Sequence, residues 1–161
     1  MTQTERYQTL EAMLNRSGSL DASYQAALYL LSSNSDLYEA AKKRIDPIGI
    51  DFAGIKRDTR SFEENDAKLI DFAHNLFSWN SKCKVTPYDI SRLGYPGMEL
   101  ACNAIFLASG EYAVQIQAAE NGSPALVLDD TQYQRTQRMH AQIAQMWERK
   151  FAEEQSEDME R

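Results

Sequence analysis

The sequence predicts a mainly α-helical fold: a compact orthogonal helical bundle over residues 1–110, followed over residues 111–161 by a β-hairpin and a long amphipathic helix. Apolar side chains recur at intervals of three and four residues in six segments before Gly110, which is the spacing of one helix face. After Gly110 the interval changes to two, which is typical of a strand. We expect the second part to pack on the bundle or to serve as an interaction arm.

Length and composition limit the class of protein. The chain has 161 residues, enough for one sound core, and its net charge of −7 repels nucleic-acid phosphates. Direct nucleic-acid binding is therefore disfavoured. No apolar run approaches the ~20 residues of a membrane span, and the N-terminus lacks a signal-peptide pattern, so we expect a cytoplasmic protein without membrane contact. Cys83 and Cys102 have no metal-site spacing, and we expect two reduced, buried thiols.

Three helices are predicted before the first proline, Pro47, over residues 4–16, 20–32 and 35–44. Gly18 is placed to end the first of them. The second is apolar on nearly all sides, so we expect it at the centre of the core. Asn34 or Ser35 is suited to cap the third through its side-chain oxygen.

The segment 48–60 has no clear period and contains two glycines, so the sequence predicts an ordered loop or a short extended piece. Lys56, Arg57 and Arg60 form a basic group within it, and loops on rigid scaffolds often carry binding residues. These three cations are the candidate anion-binding site. The other basic run, 42–44, is explained by its position at a helix C-terminus.

Three more helices are predicted between residues 61 and 110. Ser61 and Glu64 have the spacing of a capping box and predict the start of the fourth helix. Thr86 and Pro87 predict the start of a short fifth helix, with a capping hydroxyl and a proline at its first position. The sixth follows and ends near Gly110.

The C-terminal part contains the strongest hint of function. Alternating side chains on either side of the Asn121–Gly122 turn predict a β-hairpin, which needs a packing partner to be stable. Asp130 or Thr131 then caps a helix to about Glu154, with a fraying charged tail. One side of that helix carries five large apolar residues, Met139, Ile143, Met146, Trp147 and Phe151. This side either packs on the chain's own core or forms an association surface for a second copy or another protein.

The sequence contains no recognisable catalytic centre. The two histidines, His74 and His140, lie in different predicted helices, and Asp71 is the one acid within helical reach of His74. Acidic groups elsewhere sit in first helical turns, where the helix dipole favours them. Phosphate-loop, dinucleotide and nucleophile-elbow motifs do not occur. We therefore expect no enzyme activity, no cofactor and no metal.

Three segments resemble a known family. They are 72–77 (Phe-Ala-His-Asn-Leu-Phe), 86–90 (Thr-Pro-Tyr-Asp-Ile) and 103–105 (Asn-Ala-Ile) leading to Gly110-Glu111-Tyr112. Together they resemble an uncharacterised family of small helical proteins carried by conjugative and phage-like mobile elements of gut anaerobes. The likeness covers about residues 5–112. It implies that the gene lies on a mobile element, but it implies no activity, because the family supplies no site residue. Accessory proteins of mobile elements often bind host or element proteins.

Two functional hypotheses follow, with an enzyme of unrecognised type as a third. The first is a protein-interaction or accessory protein of a mobile element that acts through its last helix, with inhibition of a host or element protein as one form of that role. The second is a small-ligand or nucleic-acid accessory module that uses Lys56, Arg57 and Arg60. Steep loss of binding with salt would mark the second.

Overall fold

The structure is a computed structural model that describes residues 1–160 of the chain. The described part is mainly α-helical, which confirms the predicted class. It contains the helices α1 (Gln3–Leu14), α2 (Ala22–Leu31), α3 (Ser35–Lys42), α4 (Phe52–Asp58), α5 (Glu64–Phe77), α6 (Pro87–Ser91), α7 (Gly94–Ala108) and α8 (Thr131–Met159). Its strands are β1 (Ile45–Asp46), β2 (Gly49–Ile50), β3 (Ala113–Ala118) and β4 (Pro124–Asp129), paired as two antiparallel hairpins.

The chain divides into two compact units. The first is Met1–Asp129, and the second begins at Asp130 and is formed by α8. The domain boundary predicted from the sequence lies after residue 110, whereas the hairpin β3–β4 belongs to the first unit.

The core of the first unit is centred on α2. All residues of this helix from Ala26 to Leu31 are buried, as expected for a helix that is apolar on most sides. Helices α1, α5 and α7 contact it. Arg6 of α1 donates from Nε and Nη2 to the carbonyl oxygens of Ser32 and Ser33, at 2.7 and 2.9 Å. These bonds satisfy carbonyls that the end of α2 leaves without helical partners.

Helix ends in this unit are set by local hydrogen bonds. The Asn34 side chain accepts a bond from the Leu37 N–H at 2.9 Å, so Asn34 is the cap of α3. Thr86 and Asp89 form a full capping box at α6. Helix α1 ends earlier than predicted from Gly18, because Asn15 adopts a left-handed conformation with φ 47°.

Two predictions at the middle of the chain are wrong. The segment 48–60 is not a loop, because Phe52–Asp58 forms α4, capped by the Asp51 side chain on the Gly54 N–H at 2.9 Å. A Cβ at Gly54 would meet the Asp51 carboxylate and Arg44 Cδ, so a larger residue there would require both of these side chains to shift. The predicted capping box at Ser61 is also absent, since Glu63 precedes α5 and makes no side-chain cap.

The hairpin β3–β4 packs on the first two helices. Its residues pair from Ala113 with Asp129 to Ala118 with Pro124, and Gly122 takes φ 80° in the turn. Val114 N–H donates to Gln25 Oε1 of α2 at 2.7 Å. Leu126 N–H donates to Thr4 Oγ1 of α1 at 2.9 Å. The hairpin therefore obtains the packing partner that an isolated two-stranded ribbon needs.

Helix α8 is longer than predicted. It extends from Thr131 to Met159 and so continues past the expected end near Glu154, through part of the tail expected to fray. Its residues beyond Glu148 are strongly charged, with one apolar ring at Phe151. No helix in the described part of the chain combines the length and apolar character required to cross a bilayer.

Candidate functional site

The predicted association residues share one side of α8. We call Met139, Ile143, Met146, Trp147 and Phe151 the α8 stripe. Their steps of four, three, one and four residues keep them within one side of a helix. The stripe is open to solvent, with its five side chains between 45% and 68% exposed. Large apolar groups that share a side of a helix and stay this exposed mark an association surface more often than a neutral surface.

Local contacts arrange the C-terminal part of the stripe. The rings of Trp147 and Phe151 lie 6.2 Å apart at an interplanar angle of 32°. Lys150 Nζ lies 5.7 Å from the centre of the Trp147 ring, within reach of a cation–π interaction. Ile143, Met146, Trp147 and Lys150 line one shallow depression on the helix. The stripe thus presents an aromatic pair, one ring of which lines a depression that another side chain can enter.

Charge is distributed unevenly along α8. Residues 131–145 contain Arg135 and Arg138 and no acidic residue, whereas residues 146–159 contain five acidic and two basic residues. A helix carries partial positive charge at its N-terminus and partial negative charge at its C-terminus, so this order opposes the dipole of the helix itself. Neither end has the usual compensation, since the first turn has no acidic residue and the last turn has no basic one.

The predicted anion-binding cations are not equivalent in the structure. Lys56 Nζ lies 2.8 Å from Asp71 Oδ1, and both side chains are at least two-thirds buried. Arg57 belongs to the last turn of α4 and is exposed, and Arg60 is exposed just after the helix. The positive charge of Lys56 is therefore committed to joining α4 and α5. Lys56, Arg57 and Arg60 remain a predicted anion site.

Asp71 is the centre of a structural cluster. Its second oxygen accepts a bond from the Lys84 backbone N–H at 2.7 Å, which ties the segment after α5 back to that helix. Partial burial opposes ionisation of Asp71, but the Lys56 ammonium and the Lys84 N–H outweigh it and lower the pKa of this carboxyl. The carboxylate is ionised at neutral pH and neutralises Lys56.

His74 packs against the neighbouring helix α4. Its ring is stacked on Phe52 of α4, with centroids 4.7 Å apart at an angle of 11°. Nδ1 is buried and has no hydrogen-bond partner among the described residues. Burial and the positive charge of Lys56 lower the pKa of His74, although Asp71 acts in the opposite direction. A neutral imidazole packed on an aromatic ring fits a structural position.

The two cysteines occupy different environments. Cys83 is half-buried, and burial together with the nearby Asp71 carboxylate raises the pKa of its thiol. A thiol of this kind is a poor nucleophile at neutral pH. Cys102 is exposed on α7, so the prediction that both thiols are buried is wrong. Among residues 1–160, no group of three or more His, Cys, Asp or Glu side chains is placed to hold a metal ion.

Comparisons with protein-family models, with curated proteins and with solved structures found no match for this chain. The resemblance to the mobile-element family stays a prediction that rests on its three sequence segments.

One apolar surface was not anticipated from the sequence. Ile105 and Phe106 of α7 are 48% and 44% exposed, and Tyr95 at the start of the helix is 71% exposed. The spacing of apolar residues within α7 could have indicated this exposure, since Ala101, Ala104 and Leu107 already provide a buried face at three-residue steps. Ile105 falls at the margin of that face, whereas helical pitch puts Phe106 on the other side of α7, where its ring stacks on Tyr112 with centroids 4.8 Å apart.

Proposed function

We propose that this protein is a non-enzymatic interaction protein whose contact surface is the α8 stripe. The single observation that carries the proposal is the exposure of five large apolar side chains along one side of a 29-residue helix. Burying such side chains is worth roughly 1.5–3 kcal/mol each relative to leaving them in water. Because these side chains are 45% to 68% exposed, a protein partner that covers them recovers roughly half of this free energy.

The first unit does not need the α8 stripe to complete its core. Its buried cluster already contains aromatic and aliphatic residues from α1 to α5 and from α7, including fully buried Tyr7, Leu28 and Ile70. The side chains of Val114 and Leu126 from the hairpin pack against that cluster as well. The unit therefore has an apolar core of its own, and the stripe is available for association.

The remaining parts of the proposal follow from the sequence. We interpret the helices of the first unit as an orthogonal bundle that supports the hairpin. We further propose a cytoplasmic accessory protein of a mobile element, with a protein of the host or of the element, or a second copy, as its partner. Asp71, His74 and Cys83 act in this view as structural groups, since their contacts join α4, α5 and the segment that follows.

The test uses a pair of matched variants in the full chain. Ile143→Glu with Trp147→Glu places two negative charges in the stripe. Ala141→Glu with Gln145→Glu places two at the same four-residue spacing on the opposite side of the helix, where both parent side chains are exposed. We expect the stripe variant to lose association, measured by light scattering and by capture from the native host, while the control keeps it.

Thermal unfolding of the same variants separates an interface from a core. We expect the melting temperatures of both monomers to stay within a few degrees of the parent, because the altered side chains are solvent-exposed. A fall of more than about 10 °C in the stripe variant alone would show that the stripe is buried core, since two charges would then lack partners. That result would contradict the proposal.

A further inference from the structure

The symmetry of the α8 stripe identifies the kind of partner that fits it. Met139 and Phe151 each lie six residues from Gln145, and Ile143 and Trp147 each lie two residues from it. A two-fold axis that passes between two antiparallel copies of α8, level with Gln145, therefore brings Met139 of one chain level with Phe151 of the other, and Ile143 level with Trp147. A surface that complements itself under a two-fold axis is the requirement for a closed homodimer.

Charge at the two ends of the stripe satisfies the same symmetry. Arg135 lies ten residues before Gln145, and Glu153 and Glu157 lie eight and twelve residues after it. When two copies of α8 run antiparallel about Gln145, Arg135 of each copy falls between the positions of Glu153 and Glu157 of the other. Arg135 and Met139 line one depression on the helix, so this cation borders the stripe.

The helix dipole explains why the charges are arranged this way. Basic residues near the N-terminus and acidic residues near the C-terminus weaken an isolated helix. In an antiparallel pair, each acidic C-terminal part lies beside the basic N-terminal part and the positive dipole end of its neighbour. This order of charges is therefore unfavourable in a single α8 helix and favourable in an antiparallel pair of α8 helices.

A parallel pair does not have this property. Parallel alignment would place Arg135 beside Arg135 and Glu157 beside Glu157, and like charges at such positions are destabilising. The contact from Arg135 to Glu157 spans 23 residues, or roughly 33 Å of helix, which is enough length for a two-helix contact.

We infer that the protein forms a homodimer through antiparallel pairing of α8, with the stripe at the centre and Arg135 facing Glu153 and Glu157 of the second copy at both ends. This inference deepens the proposed function and rests on it, because it names the occupant of the same surface.

The test is a charge-exchange series in the full chain, with the dissociation constant measured by sedimentation at low and high salt. Arg135→Glu alone should weaken dimerisation about tenfold or more at low salt, because two symmetry-related attractions become repulsions. Glu153→Lys with Glu157→Lys should weaken it similarly. A chain carrying all three substitutions should dimerise as the parent does, because opposite charges again face each other.

The rescue is specific for the antiparallel arrangement. In a parallel dimer, like charges face each other in the parent and in all variants. Combining the three substitutions would therefore not restore the dissociation constant of the parent. Glu148→Lys is the control, since helical pitch places it on the side opposite Met139 and it should leave the dissociation constant unchanged. Two results would overturn the antiparallel dimer. One is an equal dissociation constant for Arg135→Glu, for Glu153→Lys with Glu157→Lys, and for the chain with all three substitutions. The other is a chain with all three substitutions that dimerises more weakly than either of the first two variants.

Failure of the dimer and failure of the proposed function give different results. The chain could remain monomeric at all concentrations and still bind a host protein, with Ile143→Glu and Trp147→Glu abolishing that binding. This result would overturn the homodimer and retain the interaction surface. If the chain is monomeric and Ile143→Glu with Trp147→Glu has a melting temperature far below that of Ala141→Glu with Gln145→Glu, both the homodimer and the interaction surface are overturned.

Discussion

Helices α2 and α8 are both rich in large apolar side chains, but they use them differently. Every residue of α2 from Ala26 to Leu31 is buried, and its apolar groups face several neighbours. The five apolar groups of the α8 stripe share one side of the helix and are 45% to 68% exposed. The contrast shows that apolar content alone does not assign a helix to the core. The width of the apolar surface and the charges beside it are more informative.

The largest effect expected from this contrast is at Leu28. Leu28→Ala should lower the free energy of unfolding by about 2–5 kcal/mol, because it leaves a cavity beside a side chain with no exposed surface. Chemical denaturation followed by far-ultraviolet circular dichroism measures it. Ile48→Ala is the control, since Ile48 is 88% exposed and its loss should change little. Equal effects at the two positions would contradict the assignment of α2 to the core.

The next effect is at Asp71, where an ion pair joins α4 and α5. Asp71→Asn should cost about 1–2 kcal/mol of unfolding free energy at pH 7, because Lys56 loses its partner in a partly buried site. The folded-state pKa of Asp71 lies below its unfolded value. The stabilisation is therefore complete above the unfolded pKa of about 4 and is lost as the pH falls through the folded pKa.

Denaturation curves of Asp71→Asn and the parent at several pH values test this sign. The difference between them should shrink as the pH falls below about 4 and should vanish once the pH is below the lowered folded pKa of Asp71, where the parent carboxyl is also neutral. Glu120→Gln, at an exposed position in the β3–β4 turn, should show little difference at any pH. A difference that grows on acidification would exclude Asp71 as the stabilising charge.

A smaller effect tests how the hairpin is held. Thr4→Val keeps the shape of a residue that is 7% exposed but removes the acceptor for the Leu126 N–H. We expect a loss of about 1 kcal/mol, the usual size for one uncharged hydrogen bond. Hydrogen exchange at Leu126 should accelerate in the variant. Thr9→Val provides the comparison, because the Thr9 hydroxyl bonds only within α1 at an exposed position.

The smallest effect on stability is expected at the α8 stripe. Ile143→Ala should change the free energy of unfolding of the monomer by no more than about 0.5 kcal/mol, because the side chain is 45% exposed and alanine favours the helix. The measurement is made at a dilution where the chain does not associate. A loss as large as that of Leu28→Ala would place Ile143 in the core and remove the contrast between the two helices.

Elements defined by local signals were predictable from the sequence. Asn34 and Thr86 cap α3 and α6 as their side chains suggested, and the apolar run of α2 predicted its burial. Helix α4 was missed because it is seven residues long and its main signal is Phe52 and Ile55 alone, three residues apart. A helix this short depends on tertiary contacts, here the bidentate Arg44–Asp58 pair at 2.7 and 2.9 Å.

The candidate site was predictable in part. The spacing of Met139, Ile143 and Met146 defined the stripe, since periodicity depends on the sequence alone. Its exposure was not predictable, because an amphipathic helix has the same pattern whether its apolar side meets the chain's own core or another protein. The Lys56–Asp71 pair was equally hidden, since it joins residues on separate helices through the packing of α4.

The environment of Trp147 tests most directly whether the stripe is an association surface. Trp79→Phe leaves Trp147 as the single tryptophan and replaces a side chain that is 89% exposed. Quenching of its fluorescence by acrylamide should be efficient in dilute solution, where Trp147 is exposed, and should fall as the protein concentration rises and the stripe is covered. Equally poor quenching at every concentration, relieved only by unfolding, would show that Trp147 belongs to the core and would contradict the proposed role of α8.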